Sequence, residues 1–118
     1  MLFLTIFLLI ILNVSYGYSS EQDAVKVAQN LLDETRASTE PAQLEEVFLK
    51  SFRFQNCRER MNREQYVRFL VSAGGLEGLD VQTAEIVGDG LTFQAGKYEF
   101  RAIFQDDKYR FKSIYVKC

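Results

Sequence analysis

The sequence predicts an α+β domain in which three helices packed from the N-terminal side cover a curved, mainly antiparallel sheet of about five strands. Three observations carry that prediction. Apolar residues recur every three or four positions between Ala24 and Phe48, and again between Tyr66 and Leu70. From Val81 onward they alternate with polar residues instead. Turn-forming residues at Gly88-Asp89-Gly90 and Asp106-Asp107-Lys108 divide that alternating half into short runs. A chain whose period changes from 3.6 to 2 part-way along has helices first and an antiparallel sheet second.

The elements follow in order. Ser20 is placed to cap a helix with Glu21 and Asp23 in its first turn and the stripe Ala24, Val25, Ala28, Leu31, Leu32. Ser38-Thr39-Glu40-Pro41 ends it, and Thr39 reads as the cap of a second helix with Pro41 in its first turn. That helix uses Leu44, Val47 and Phe48. Phe52-Arg53-Phe54-Gln55 then alternates as a short strand. After the polar stretch Arg58 to Met61, Asn62 and Gln65 form a capping pair for a third helix, which Gly74-Gly75 stops. Val81 to Val87 is a strand, and Gly88-Asp89-Gly90 turns into Leu91 to Gln94, with a bend or bulge at Ala95-Gly96. Tyr98, Phe100, Ala102 and Phe104 share one face of the next strand. Tyr109 to Lys117 closes the chain, and its apolar parity shifts between Phe111 and Ile114, which predicts a bulge near Lys112-Ser113.

Residues Leu2 to Leu12 are apolar apart from Thr5, and small residues follow at Ser15 and Gly17. That is the layout of a secretory signal peptide over residues 1–17, leaving one domain over residues 18–118. The block is too short for a membrane span, which needs about 20 apolar residues. The expected location is therefore extracellular, with no membrane attachment after cleavage. In an oxidising compartment Cys57 and Cys118 are candidates for a bridge closing a loop of roughly 60 residues. Two free thiols, or one buried thiol and one intermolecular thiol, are the alternatives.

Composition narrows the chemistry. With 14 Lys and Arg against 16 Asp and Glu the net charge is −2, so a nucleic-acid binder is not expected. The chain has no histidine, which removes the commonest general base at neutral pH and the commonest zinc ligand. No metal, cofactor or catalytic constellation is expected. Gly74-Gly75-Leu76-Glu77-Gly78 follows a helix, whereas a phosphate loop precedes one, so it reads as a cap and turn. Arg53, Arg58, Arg60, Arg63 and Arg68 against Glu59 and Glu64 give a local excess of +3. It reads first as a solvated face with weak salt bridges, and second as an anion or partner contact.

The order helix, helix, short strand, helix and antiparallel strands resembles the nuclear transport factor 2-like (NTF2-like, cystatin-like) cone. Phe52-Arg53-Phe54-Gln55-Asn56-Cys57, the helix start Asn62-Arg63-Glu64-Gln65-Tyr66 and the closing strand Tyr109 to Ile114 are similar to the nematode family of secreted NTF2-like domain proteins. That resemblance implies a first strand lying parallel beside the last, which would bring Cys57 and Cys118 within bridging distance. It also implies a conical pocket, for which Phe54, Tyr66, Phe100, Phe104 and Tyr115 are the candidate lining residues. Steroid isomerases and small dehydratases of this fold use an Asp base in such a pocket, and the first strand here has no carboxylate. The resemblance therefore implies a non-enzymatic binder of a small apolar ligand or a protein partner. A pocket enzyme of the isomerase or dehydratase type is the alternative, and a module that homodimerises through its sheet face is the third reading.

Overall fold

A computed structural model describes residues 21–118. The expected signal peptide over residues 1–17 and the expected cap at Ser20 lie outside the described residues. The chain runs α1 (Glu21–Ala37), α2 (Pro41–Val47), β1 (Phe48–Gln55), β2 (Arg60–Asn62), α3 (Arg63–Ala73), β3 (Thr83–Val87), β4 (Gly90–Ala95), β5 (Tyr98–Gln105) and β6 (Lys108–Val116). The strands form one sheet in the order β2-β1-β6-β5-β4-β3. Only β1 and β6 run parallel; every other neighbouring pair is antiparallel. The helices cover one face, as the change of period predicts.

Helix α1 buries Ala24, Ala28, Leu31 and Leu32 along one stripe. Thr35 extends that stripe, and its hydroxyl donates to the Leu31 carbonyl at 2.7 Å, so burial leaves no unmet donor. Helix α2 differs from expectation at both ends. Its N-cap is Glu40, in an extended conformation and without a side-chain cap bond, rather than Thr39. Pro41 disfavours helical geometry in the residue before it, so the helix can begin only at the proline. Phe48 leaves the helix and opens β1, four residues earlier than the alternation at Phe52 suggests. Its ring lies between Phe52 and Phe111, at 4.7 and 5.4 Å.

The capping box of α3 forms as the sequence predicts. The Gln65 amide N–H donates to Asn62 Oδ1 and the Asn62 N–H donates to Gln65 Oε1, both at 2.9 Å. Gly74 ends the helix at φ +70°, a region costly for any side chain. Within the stretch Arg58 to Met61 the structure adds a strand, β2, which pairs Arg60 with Gln55 and Asn62 with Arg53. The sheet therefore has six strands rather than about five. The first strand of the second half begins at Thr83, not Val81, and in place of a bend or bulge at Ala95-Gly96 the chain makes a two-residue hairpin loop at Gly96-Lys97, because Ala95 pairs with Tyr98.

The bulge in β6 is where the parity shift places it. Arg101 pairs with Ser113 while Ala102 pairs with Phe111, so Lys112 is the extra residue. This one insertion lets both Phe111 and Ile114 face the helices. Two transverse rows result on the covered face. One runs Met61, Phe54, Ile114, Phe100, Phe93, Ala84, and the other runs Phe48, Phe111, Ala102, Leu91, Ile86. Because β1 and β6 are parallel neighbours, their C-terminal ends lie side by side. Cys57 and Cys118 form a disulfide there, with Cα atoms 5.5 Å apart.

Candidate functional site

The covered face is a layer of rings. Phe54, Tyr66 and Phe100, three of the five candidate lining residues, are buried in it. Tyr66 stacks on Phe54 at 4.7 Å and approaches Phe52 at 5.4 Å and Phe48 at 5.7 Å. Phe100 stacks on Phe93 at 4.6 Å and lies 5.6 Å from Phe111, which joins the two groups through Phe48. Rings at these separations are in contact and occupy the space between sheet and helices. Burial pushes the Tyr66 phenol above its usual value of 10.0, and the neighbouring Tyr98 phenol pushes it the same way. Tyr98 donates to the Gly75 carbonyl at 3.3 Å, a local partner.

The loop after α3 packs against this layer. Leu76 is buried against the core. Arg36 donates to the Leu76 and Leu79 carbonyls at 3.4 and 3.2 Å, and the Val81 N–H donates to Gln29 Oε1 at 2.9 Å. The Gly75 N–H donates to Glu77 at 2.7 Å, and this bond is the main reason the Glu77 carboxyl lies below its usual value. A 220 Å³ cleft lies between α1, α2 and α3, lined by Thr35, Leu44, Leu70 and Leu76 among others, and an open groove of 520 Å³ lies between the start of α1 and β3–β4, beside Ala24, Ala84 and Phe93. Drug-sized ligands occupy about 300–1,000 Å³.

Phe104 and Tyr115 do not join the other three. Phe104 is 47 % exposed and Tyr115 is 41 % exposed. Phe104 shares the inward parity of Phe100 but lies at the β5–β6 hairpin, on the rim of an open groove beside Leu31 and Val47, against Tyr109 at 5.1 Å. Tyr115 follows Ile114, and the bulge at Lys112 that turns Ile114 inward turns Tyr115 outward.

The outer face of the sheet carries the charges. Asn62, Arg53, Ser113, Arg101, Thr92 and Glu85 form one row across it, and Arg60, Gln55, Tyr115, Glu99, Gln94 and Thr83 form the next. Arg53, Gln55, Arg60 and Asn62 border a groove of 500 Å³ at the β1–β2 side. Among the described residues, Arg53, Arg58, Arg60, Arg63 and Arg68 form no ion pair, so the weak salt bridges expected of a solvated face are absent from these arginines. They do not form one patch either: Arg53 and Arg60 share the outer face, Arg58 lies in the intervening loop, and Arg63 and Arg68 belong to α3. The sequence missed the pairing that assembles this face. Its only local signal is Met61 between Arg60 and Asn62, a single alternation too short to read as a strand.

No protein-family model matches the chain, and no curated protein matches it in sequence. Solved structures do match in shape. An NTF2-like protein of unknown function from Silicibacter pomeroyi is 11% identical, with a TM-score of 0.62 over 80% of this chain and 94% of that one. A protein of unknown function with a cystatin-like fold from Nostoc punctiforme is 10% identical, with a TM-score of 0.54 over 77% and 87%. A de novo designed protein with a curved β-sheet is 16% identical, with a TM-score of 0.61 over 77% and 93%. The fold is NTF2-like, and identities this low speak to the fold alone.

Proposed function

We propose that this chain is a secreted, non-enzymatic NTF2-like binding domain whose partner is a protein held against its outside, rather than a small apolar ligand held in its cone. The observation that carries this reading is the packed layer of Phe48, Phe52, Phe54, Tyr66, Phe93, Phe100 and Phe111, whose rings contact one another in the space a ligand would take. The disulfide is consistent with export, because such bonds persist in oxidising compartments. A small domain of this kind gains stability from a filled core and a covalent tie, and both leave its surface free to bind.

The test is an organic extract of the protein purified from a secreting host, analysed by mass spectrometry. The expected result is no stoichiometric lipid. An apolar compound recovered at one equivalent would replace this reading with ligand carriage. Turnover of a ketosteroid-type substrate that disappears in Tyr66→Phe would replace it with the isomerase reading.

A further inference from the structure

We infer that the outer sheet face around Tyr115, Arg53, Arg60, Arg101 and Lys112 is the docking surface, and that the protein partner it fits is acidic. The inference rests on the reading of the chain as a surface binder. The register brings together four cations that the sequence scatters over 60 positions: Arg53 is one strand from Arg60 and two from Arg101, and Lys112 is the exposed bulge residue between them. Glu99 is the one carboxylate in the same stretch of the two rows, and it meets Arg101 at 3.8 Å. The excess sits on a chain whose net charge is −2, so it is local and not a property of the whole surface.

Three further features favour an interface. Tyr115 lies directly opposite Gln55 and Glu99, and Arg53 and Arg101, which flank Ser113 in the next row, are its diagonal neighbours. Tyr and Arg are the residue types that dominate the energetics of protein interfaces. The hairpin that presents Arg53 and Arg60 is also held in place. Asn56 Oδ1 accepts from the Arg58 and Glu59 N–H groups at 2.8 and 2.7 Å, the capping box fixes Asn62, and the disulfide fixes Cys57. A surface ordered before binding loses less entropy on docking.

The chemistry of the face selects among partners. Arginine forks bind carboxylates in a paired geometry that lysine cannot reproduce. Glu99 within the face and Glu59 in the loop beside it interrupt the positive potential, which suits discrete carboxylates on a folded partner better than the continuous charge of a sulfated glycan. A second copy docking through the same face around a twofold axis would set these cations against one another.

The experiment uses the disulfide-bonded protein and fluorescein-labelled hexaglutamate, read by fluorescence anisotropy at low and high salt. Binding is expected at low salt and about tenfold weaker in Arg53→Gln/Arg60→Gln. Lys26→Gln/Lys108→Gln, which removes the same charge on α1 and at the β5–β6 hairpin, should stay within about twofold. Tyr115→Ala should also weaken binding. Equal loss in the two double variants, or no binding at low salt, would overturn the assignment. So would a heparin hexasaccharide binding tighter than hexaglutamate, or a dimer in sedimentation that the arginine substitutions strengthen. A recovered lipid would defeat the surface-binder reading by itself, whatever hexaglutamate does.

Discussion

The two faces of the sheet are built from the same strands and have opposite chemistry. On the covered face the rows of paired residues are almost wholly aromatic and aliphatic, while on the outer face the same strands present Arg, Gln, Ser, Thr and Glu. A period of two makes this separation possible, and a single extra residue, Lys112, keeps it intact across the end of β6. Stability resides on the covered face. Burying apolar surface stabilises by about 25 cal/mol per Å², whereas exposed charges contribute little to folding. Substitutions on the two faces should therefore fail in different assays.

The largest effect should come from exchanging the faces. Deleting Lys112 without further change would turn Ile114 outward and Tyr115 inward, or force the strand to slip. The expected outcome is loss of cooperative thermal unfolding, followed by near-ultraviolet circular dichroism. Phe111→Ala keeps the register and removes one ring that contacts Phe48, Phe93 and Phe100. It should cost about 3–5 kcal/mol in urea unfolding. A loss below about 1 kcal/mol would mean that the ring layer is loose and that a ligand can enter it.

The covalent tie comes next. Cys57 and Cys118 are separated by 61 positions, and opening a loop of that length costs about 4 kcal/mol in the chain-entropy model. Cys57→Ser/Cys118→Ser should lower the urea midpoint accordingly, while an intact-mass comparison with and without reductant establishes that the bond was present. Tyr66 gives a smaller, pH-dependent effect. Its folded-state value is raised above the usual 10.0, so the unfolded chain releases this proton first. Its contribution is whole below pH 10 and falls as pH rises from there through the raised value. Tyr66→Phe should flatten the alkaline limb of the stability profile and leave the neutral region nearly level.

The local features were legible in the sequence because their causes are local. Asn62 and Gln65 satisfy each other's end of α3, Pro41 sets where α2 starts, and the parity of Phe111 and Ile114 announces a bulge. What escaped depends on neighbours distant in the chain. Phe48 reads as helical by spacing, yet it takes a strand conformation where Phe111, 63 positions later, offers a partner. Strand β2 has three residues and exists through its pairing with β1. Phe104 and Tyr115 lie apart from the other three candidate lining residues for two separate reasons. Phe104 has the inward parity but lies at an open rim, and Tyr115 lies beyond the Lys112 bulge, which turns it to the outer face. The arginine face was invisible as a surface, since no run of sequence contains it.

The smallest expected effect is the most informative about that surface. Arg53→Gln/Arg60→Gln removes two exposed side chains that form no ion pair among the described residues, so the urea midpoint should move by less than about 0.5 kcal/mol. The same protein should lose most of its affinity for hexaglutamate. A stability change above about 1.5 kcal/mol would show that these arginines hold the β1–β2 hairpin in place, and the loss of binding would then follow from a displaced face. Level stability with weakened binding separates the two roles, because a residue whose removal leaves folding unchanged but abolishes an interaction acts on the partner and not on the fold.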